Sequence, residues 1–176
     1  MQYLKLAFFG EIGSGKTQIV NTLSEIDTID TDVASTVNIG KEYTTVGIDY
    51  GRINLDTETA LGLYGVPGQK RYSFLWETVS NSLWCIALLF KYGAEVNKEN
   101  VTELLDFFYP EKSEIPCIIG ISHSETCGDE DFREFVKEIQ TIIDEKNIKA
   151  PIIKVNPTSQ ESSMEFLQMI NTLTLF

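Results

Sequence analysis

Short apolar runs alternate with helically spaced apolar positions along the 176-residue chain. Tyr3 to Phe9 is a compact apolar run of strand length, as expected for a strand covered on both faces. From Lys16 to Ile26, the residues Ile19, Val20, Leu23 and Ile26 share one helical face. Thr28 to Glu42 carries few large apolar residues and reads as a long loop. Val46 to Leu55 and Ala60 to Tyr64 read as two strands joined by a tight turn at Asp56-Thr57-Glu58-Thr59. Leu83 to Phe90 is another buried strand, and Val101, Leu104, Leu105 and Phe108 mark a helix begun by Asn100 with Glu103 as its capping partner. Ile115 to Ile121 is an Ile-rich strand, and Phe132, Phe135, Val136, Ile139 and Ile143 give the clearest amphipathic helix. Pro151 to Val155 is a last short strand. A capping box of Ser162 and Glu165 then precedes the closing helix of Met164, Leu167, Ile170 and Leu173.

This alternation predicts one α/β domain over residues 1–176, a three-layer sandwich around a six-stranded, mostly parallel sheet. The hairpin supplies one antiparallel strand, expected at an edge.

Charge narrows the partners. Lys plus Arg number 14 against 26 for Asp plus Glu, a net charge of -12. Such a chain does not track a nucleic-acid backbone by counterion release or adhere unaided to an anionic membrane. Any phosphate it binds must sit in a local pocket. Three cysteines, with no CxxC pair and with Cys85 and Cys117 inside apolar runs, read as reduced thiols of a cytoplasmic protein. His123 is the sole histidine, too few for a His-based metal site. No run reaches the roughly 20 apolar residues of a membrane span. Gln2 and the Thr174-Leu175-Phe176 end lack lipidation signals, so no direct membrane anchor is expected.

The chemistry is concentrated after the first strand. Gly10-Glu11-Ile12-Gly13-Ser14-Gly15-Lys16-Thr17 matches G-x-x-x-x-G-K-[ST], between a predicted strand and a predicted helix. Glycines let backbone N–H groups turn inward as an anion cradle, and the helix N-terminus adds its dipole. Lys16 would reach the β and γ phosphates and the Thr17 hydroxyl would ligate Mg²⁺. The motif predicts a nucleoside triphosphate without naming its base. In a phosphate-loop switch, two more loops read the γ phosphate and the metal. Thr45, with Thr44 as its rival, stands where the long loop meets the hairpin and could complete the Mg²⁺ shell. In Leu63-Tyr64-Gly65-Val66-Pro67-Gly68-Gln69-Lys70-Arg71, Gly68 could offer its N–H to the γ phosphate and Gln69 could orient the attacking water.

Gly10 to Thr17, Ser24-Glu25-Ile26, Thr44 to Ile53, and Leu63 to Arg71 with Phe74 and Trp76 follow one another in an order that resembles the small Ras-like P-loop GTPases. The resemblance is nearest to a bacterial branch that includes conservon-type GTP-binding proteins. Gliding-polarity GTPases are relatives, and the Arf-like proteins and the signal recognition particle receptor β subunit are more distant ones. It spans nearly the whole chain and implies a G domain that binds GTP and GDP with Mg²⁺, hydrolyses GTP and acts as a signalling switch. It implies nucleotide contacts from Glu11, Ile12, Gly13, Ser14, Gly15, Lys16, Thr17 and Gln18. Metal contacts would come from Thr17 and Thr45, and hydrolytic roles from Lys16, Gly68 and Gln69. Partners of the roadblock/LC7 type are implied as regulators.

The chain departs from that pattern in four places. Gly65 stands where an Asp usually supports Mg²⁺ through a water, and either Asp49 or Asp32 could supply the charge. Ile12 stands where Gly is common and would crowd the γ phosphate, so slow unaided hydrolysis is expected. Base recognition usually rests on Asn-Lys-x-Asp, and here the place reads Ser122-His123-Ser124-Glu125. Glu125 keeps the carboxylate, His123 replaces a Lys, and Ser122 replaces the Asn that ties this loop to the phosphate loop. Asn156-Pro157-Thr158 stands for the usual Ser-Ala-Lys loop. An arginine finger is worth roughly 10³ to 10⁵ in rate. Of the three arginines, Arg52, Arg71 and Arg133, only Arg71 is near a switch, so assistance would come from a partner or by rearrangement. The alternatives are a nucleotide-binding scaffold without turnover and, against the scarcity of arginines, a small-molecule P-loop kinase.

Overall fold

A computed structural model describes residues 2–33, 46–109 and 114–174. Strand β1 (Gln2–Gly10) runs parallel to β4 (Thr59–Pro67) on one side and to β5 (Leu83–Lys91) on the other. A strand so enclosed must be apolar on both faces. Leu6 and Phe8 accordingly face one layer and Ala7 and Phe9 the other, all fully buried. Beyond β5 lie β6 (Cys117–Ser122) and β7 (Ile152–Lys154), both parallel. Beyond β4 lies β3 (Val46–Asn54), antiparallel to it.

These six are the predicted strands. A seventh flanks them: β2 (Ile29–Val33) pairs antiparallel with β3 inside the stretch expected to be loop. The order is β2-β3-β4-β1-β5-β6-β7, so β2 takes the edge and the antiparallel β3 is one strand in from it. Ile29, Thr31 and Val33 give a β-branched, every-second-residue sequence pattern, which the intervening Asp30 and Asp32 obscure.

Helices α1 (Lys16–Leu23) and α5 (Gln160–Thr174) cover the Leu6/Phe8 face. Helices α2 (Phe74–Ser80), α3 (Lys98–Phe108) and α4 (Asp129–Glu145) cover the Ala7/Phe9 face. Three helix boundaries differ from those predicted, each because of a hydrogen bond. Helix α1 ends at Leu23 rather than Ile26, because Ser24 turns extended and its Oγ accepts from the Arg52 N–H at 3.1 Å. Helix α3 is capped by Asn97, whose side chain accepts from the Asn100 N–H, not by Asn100. Before α5, Ser159 Oγ accepts from the Ser162 N–H at 3.2 Å, while Ser162 Oγ serves the Asn156 N–H. Ser162 therefore lies within the helix instead of capping it.

Candidate nucleotide-binding site

The helix after β1 lies on one face of the sheet, whereas α2, between β4 and β5, lies on the other. The crevice at the C-terminal end of β1 is therefore a topological switch point, where open α/β sheets bind ligands. The Gly10–Thr17 loop fills it. Gly13 and Gly15 have φ of 80° and 101°, the left-handed region that glycine enters without penalty and that turns successive N–H groups toward one concavity.

Lys16 lies partly buried, and its Nζ donates to the Glu11 carbonyl at 2.8 Å. Burial lowers its pKa from 10.5 to about 8, against the opposing pull of Asp49 and Glu11. Ser14 turns inward. Its N–H donates to the Glu11 carbonyl at 3.2 Å, and its hydroxyl is one of two buried side-chain polar atoms without a partner among the described residues. Ile12 is 79% exposed at the loop tip, an apolar side chain left in the open.

Two segments reach this loop from the side where a base would lie. Ser122 Oγ donates to the Ser14 carbonyl at 2.8 Å, so a serine makes the tie between the two loops that the resemblance assigns to Asn. His123, at a φ of 56°, has Nδ1 3.0 Å from Ser122 Oγ. Pro157 closes against Gly15, where a Cβ would meet its ring at 2.7 Å, and the Pro157 carbonyl accepts from Thr22 Oγ1 of α1 at 2.6 Å. Thr158 bonds to Asn156 Oδ1 through both its N–H and its hydroxyl. Gly13, Gly15, Lys16, Thr17, Gln18, His123, Glu125 and Asn156 to Thr158 line one open cavity of about 620 Å³. His123 and Glu125 are exposed on its rim.

The γ-phosphate side is formed by the end of β4. The Gly68 N–H donates to the Gly10 carbonyl at 3.1 Å, and a Cβ on Gly68 would meet Gly10 N at 3.0 Å, a tighter approach than a side chain ordinarily makes. Gln69 Nε2 donates to Glu11 Oε2 at 2.6 Å, and Arg71 Nε donates to Gln69 Oε1 at 2.9 Å. The Arg71 guanidinium lies over Tyr72, 4.7 Å from the ring centre. Trp76, on α2, donates from Nε1 to the Pro67 carbonyl at 2.9 Å and anchors the segment from below.

Between the two rims, Thr17 Oγ1 donates to Asp49 Oδ2 at 2.6 Å. Asp49 is directly opposite Gly65 in the β3–β4 ladder, and a Cβ on Gly65 would lie 2.7 Å from Asp49 Oδ2. The Asp49 carboxylate thus takes the space that Gly65 leaves open, beside the hydroxyl expected to hold Mg²⁺. Sequence reasoning left Asp49 and Asp32 as alternatives; the strand register brings Asp49 to Thr17. Thr44 and Thr45 lie outside the described residues, as does the side chain of Asp32. Among the described residues, no three His, Cys, Asp or Glu side chains gather as an all-protein metal cage. One hydroxyl and one nearby carboxylate suit Mg²⁺, which takes most of its ligands from phosphate and water.

No family model and no curated protein matches the chain. Solved structures do. The bacterial selenocysteine-specific elongation factor EF-Sec aligns with a TM-score of 0.72 at 19% identity, over 98% of this chain and 29% of its own length. The small GTPase Arl6 (BBS3) of Trypanosoma brucei, solved with the nucleotide analogue GppNp, aligns at 0.69 and 15% identity over 98% of both chains. The G domain of the T. maritima iron transporter FeoB aligns at 0.58 and 18% identity, over 98% of this chain and 99% of that one. The fold is that of a GTPase G domain. This chain spans less than a third of the elongation factor's length.

Proposed function

We propose that the protein is a guanine-nucleotide switch, which binds GTP and GDP with Mg²⁺ and hydrolyses GTP slowly without help. The observation that carries this reading is the convergence on one phosphate loop of Lys16 and Thr17 from its own helix, Gly68 and Gln69 from the end of β4, and the Ser122–Glu125 and Asn156–Thr158 segments from the opposite rim. Lys16 would meet the β and γ phosphates. Thr17 would ligate the metal, with Asp49 accepting from its coordinated water in the role that Gly65 cannot fill. Bound Mg²⁺ would neutralise charge on the phosphates. Gly68 would donate its N–H to the γ phosphate once released from the Gly10 carbonyl that holds it here, Gln69 would orient the water, and Glu125 would accept from the guanine edge. Exposed Ile12, beside the γ-phosphate position, supports slow unaided turnover. Regulation by a roadblock/LC7-type partner rests on the resemblance alone.

A second reading, a nucleotide-binding scaffold without turnover, is favoured by one observation: both ends of the Gln69 amide are already bonded. Titration of GTP, GDP, ATP and ADP onto nucleotide-stripped protein with Mg²⁺, with phosphate release followed on the same sample, separates the two. The switch requires guanine-selective binding with slow release of phosphate. Lys16→Ala should weaken binding roughly ten- to a hundredfold, the value of charge-assisted hydrogen bonds to phosphate. Unchanged affinity in that variant would refute the phosphate-loop assignment, and selective binding without turnover would leave the scaffold.

A further inference from the structure

The phosphate-loop motif leaves position 11 unspecified, and a carboxylate there is an odd choice. It places a negative charge at the mouth of an anion cradle. The Glu11 backbone carbonyl serves the loop, through Lys16 Nζ and the Ser14 N–H. Its side chain turns the other way and joins three elements. Gln69 Nε2 donates to Oε2 at 2.6 Å, and Asn100 Nδ2, in the first turns of α3, donates to Oε1 at 2.7 Å. Asn100 Oδ1 in turn accepts from the Lys70 N–H at 3.2 Å, and Lys70 Nζ pairs with Glu103 of α3 at 2.6 Å. Both oxygens of Glu11 are therefore occupied, and its position is set from α3.

A glutamine that orients an attacking water uses its carbonyl to accept from the water and its N–H to reach a phosphoryl oxygen. Here Glu11 takes an N–H and Arg71 bonds to the carbonyl oxygen. We propose that Glu11 is a positioning residue that parks Gln69 out of its hydrolytic orientation, with Asn100 holding the carboxylate in place. The inference rests on the GTPase reading above. The γ phosphate and the Glu11 carboxylate compete for the same amide hydrogen, so slow turnover is built into the loop as well as imposed by Ile12. A protein that engages Asn100 on α3 would loosen Glu11 and free Gln69 without touching the nucleotide.

The test is single-turnover phosphate release from GTP by the wild type, Glu11→Ala, Asn100→Ala, and Glu11→Ala combined with Gln69→Leu, with GTP affinity measured alongside. Glu11→Ala should hydrolyse roughly three- to tenfold faster, the rate equivalent of one lost hydrogen bond. Asn100→Ala should gain less. The gain must appear in the bound-state rate rather than in affinity, and it must vanish in the Gln69→Leu background. An unchanged or slower rate in Glu11→Ala, or a gain that survives loss of Gln69, overturns the proposal. A second readout needs no turnover. The ¹⁵N-resolved side-chain amide signal of Gln69, assigned by its loss in Gln69→Ala, should move in Glu11→Ala protein free of nucleotide. A signal that stays put removes the contact and the proposal with it. Absence of GTP binding by the wild type would instead sink the switch reading, while the amide signal still judges the contact.

Discussion

Asp49 and Gly65 share one register position of the β3–β4 ladder, and the space between them admits one carboxylate. Moving that group back across the ladder tests whether its place or its parent strand matters. Asp49→Gly should raise the Mg²⁺ concentration needed to slow release of bound GDP by about tenfold, the usual effect of losing an outer partner of a metal ligand. Gly65→Asp alone should also impair the site, because two carboxylates would crowd each other. The double variant should recover much of the loss. Release rates of a fluorescent GDP analogue across a Mg²⁺ series decide it, and an unchanged requirement in Asp49→Gly would remove Asp49 from the metal site. The sequence exposed the missing Asp at Gly65 but did not choose between Asp49 and Asp32. That choice depends on strand register, and a slip of one residue moves a side chain to the opposite face of the sheet. The phosphate loop, by contrast, is contiguous, so Gly10 to Thr17 could be read without knowing any register.

At the scale of elements, the approach of α5 to the sheet is set by Gly120 of β6. A Cβ there would meet Leu89, Val155 and Phe166 at 2.8 to 2.9 Å, two of them core residues of neighbouring elements and the third the ring of α5 itself. Gly120→Ala should therefore destabilise the fold by about 1–3 kcal/mol through overpacking, read by denaturant unfolding. Because α5 begins just after Asn156–Thr158, the same change should loosen Pro157 from Gly15 and weaken nucleotide binding. Wild-type stability in this variant would mean that α5 shifts freely and does not fix that loop. Helix and strand centres were legible because periodicity records which face is covered. Their ends were not, since Ser24 answers to Arg52, a residue 28 positions away, and Ser162 to Asn156. Strand β2 was hidden because Asp30 and Asp32 on alternate positions make a five-residue strand look like polar loop.

For the whole molecule, a net charge of -12 surrounds a site built for an anion. The partly buried Lys16 attracts phosphate at contact, while the protein as a whole repels it at longer range. Salt screens the second effect more than the first, the screening length falling to about 10 Å at 0.1 M. Association of a fluorescent GDP analogue should accelerate, by roughly two- to fivefold, as ionic strength rises from about 20 to 200 mM. A slower rate with added salt would mean that the field at the site entrance is positive despite the total. Composition alone gave the sign of the net charge. It could not reveal that a lysine with its pKa lowered to about 8 lies at the focus of the crevice, because burial belongs to the fold.

The shared place of Asp49 and Gly65 constrains how the site can change. With both carboxylates present the ladder is crowded, and with neither Thr17 loses its partner. A chain that carries the acid on one strand is thus two substitutions away from a chain that carries it on the other, and each intermediate is worse than either end. Exchange between the two arrangements would therefore have to pass through an impaired site. A motif written along one strand records a missing acid, whereas across the two strands the carboxylate is present in the same place.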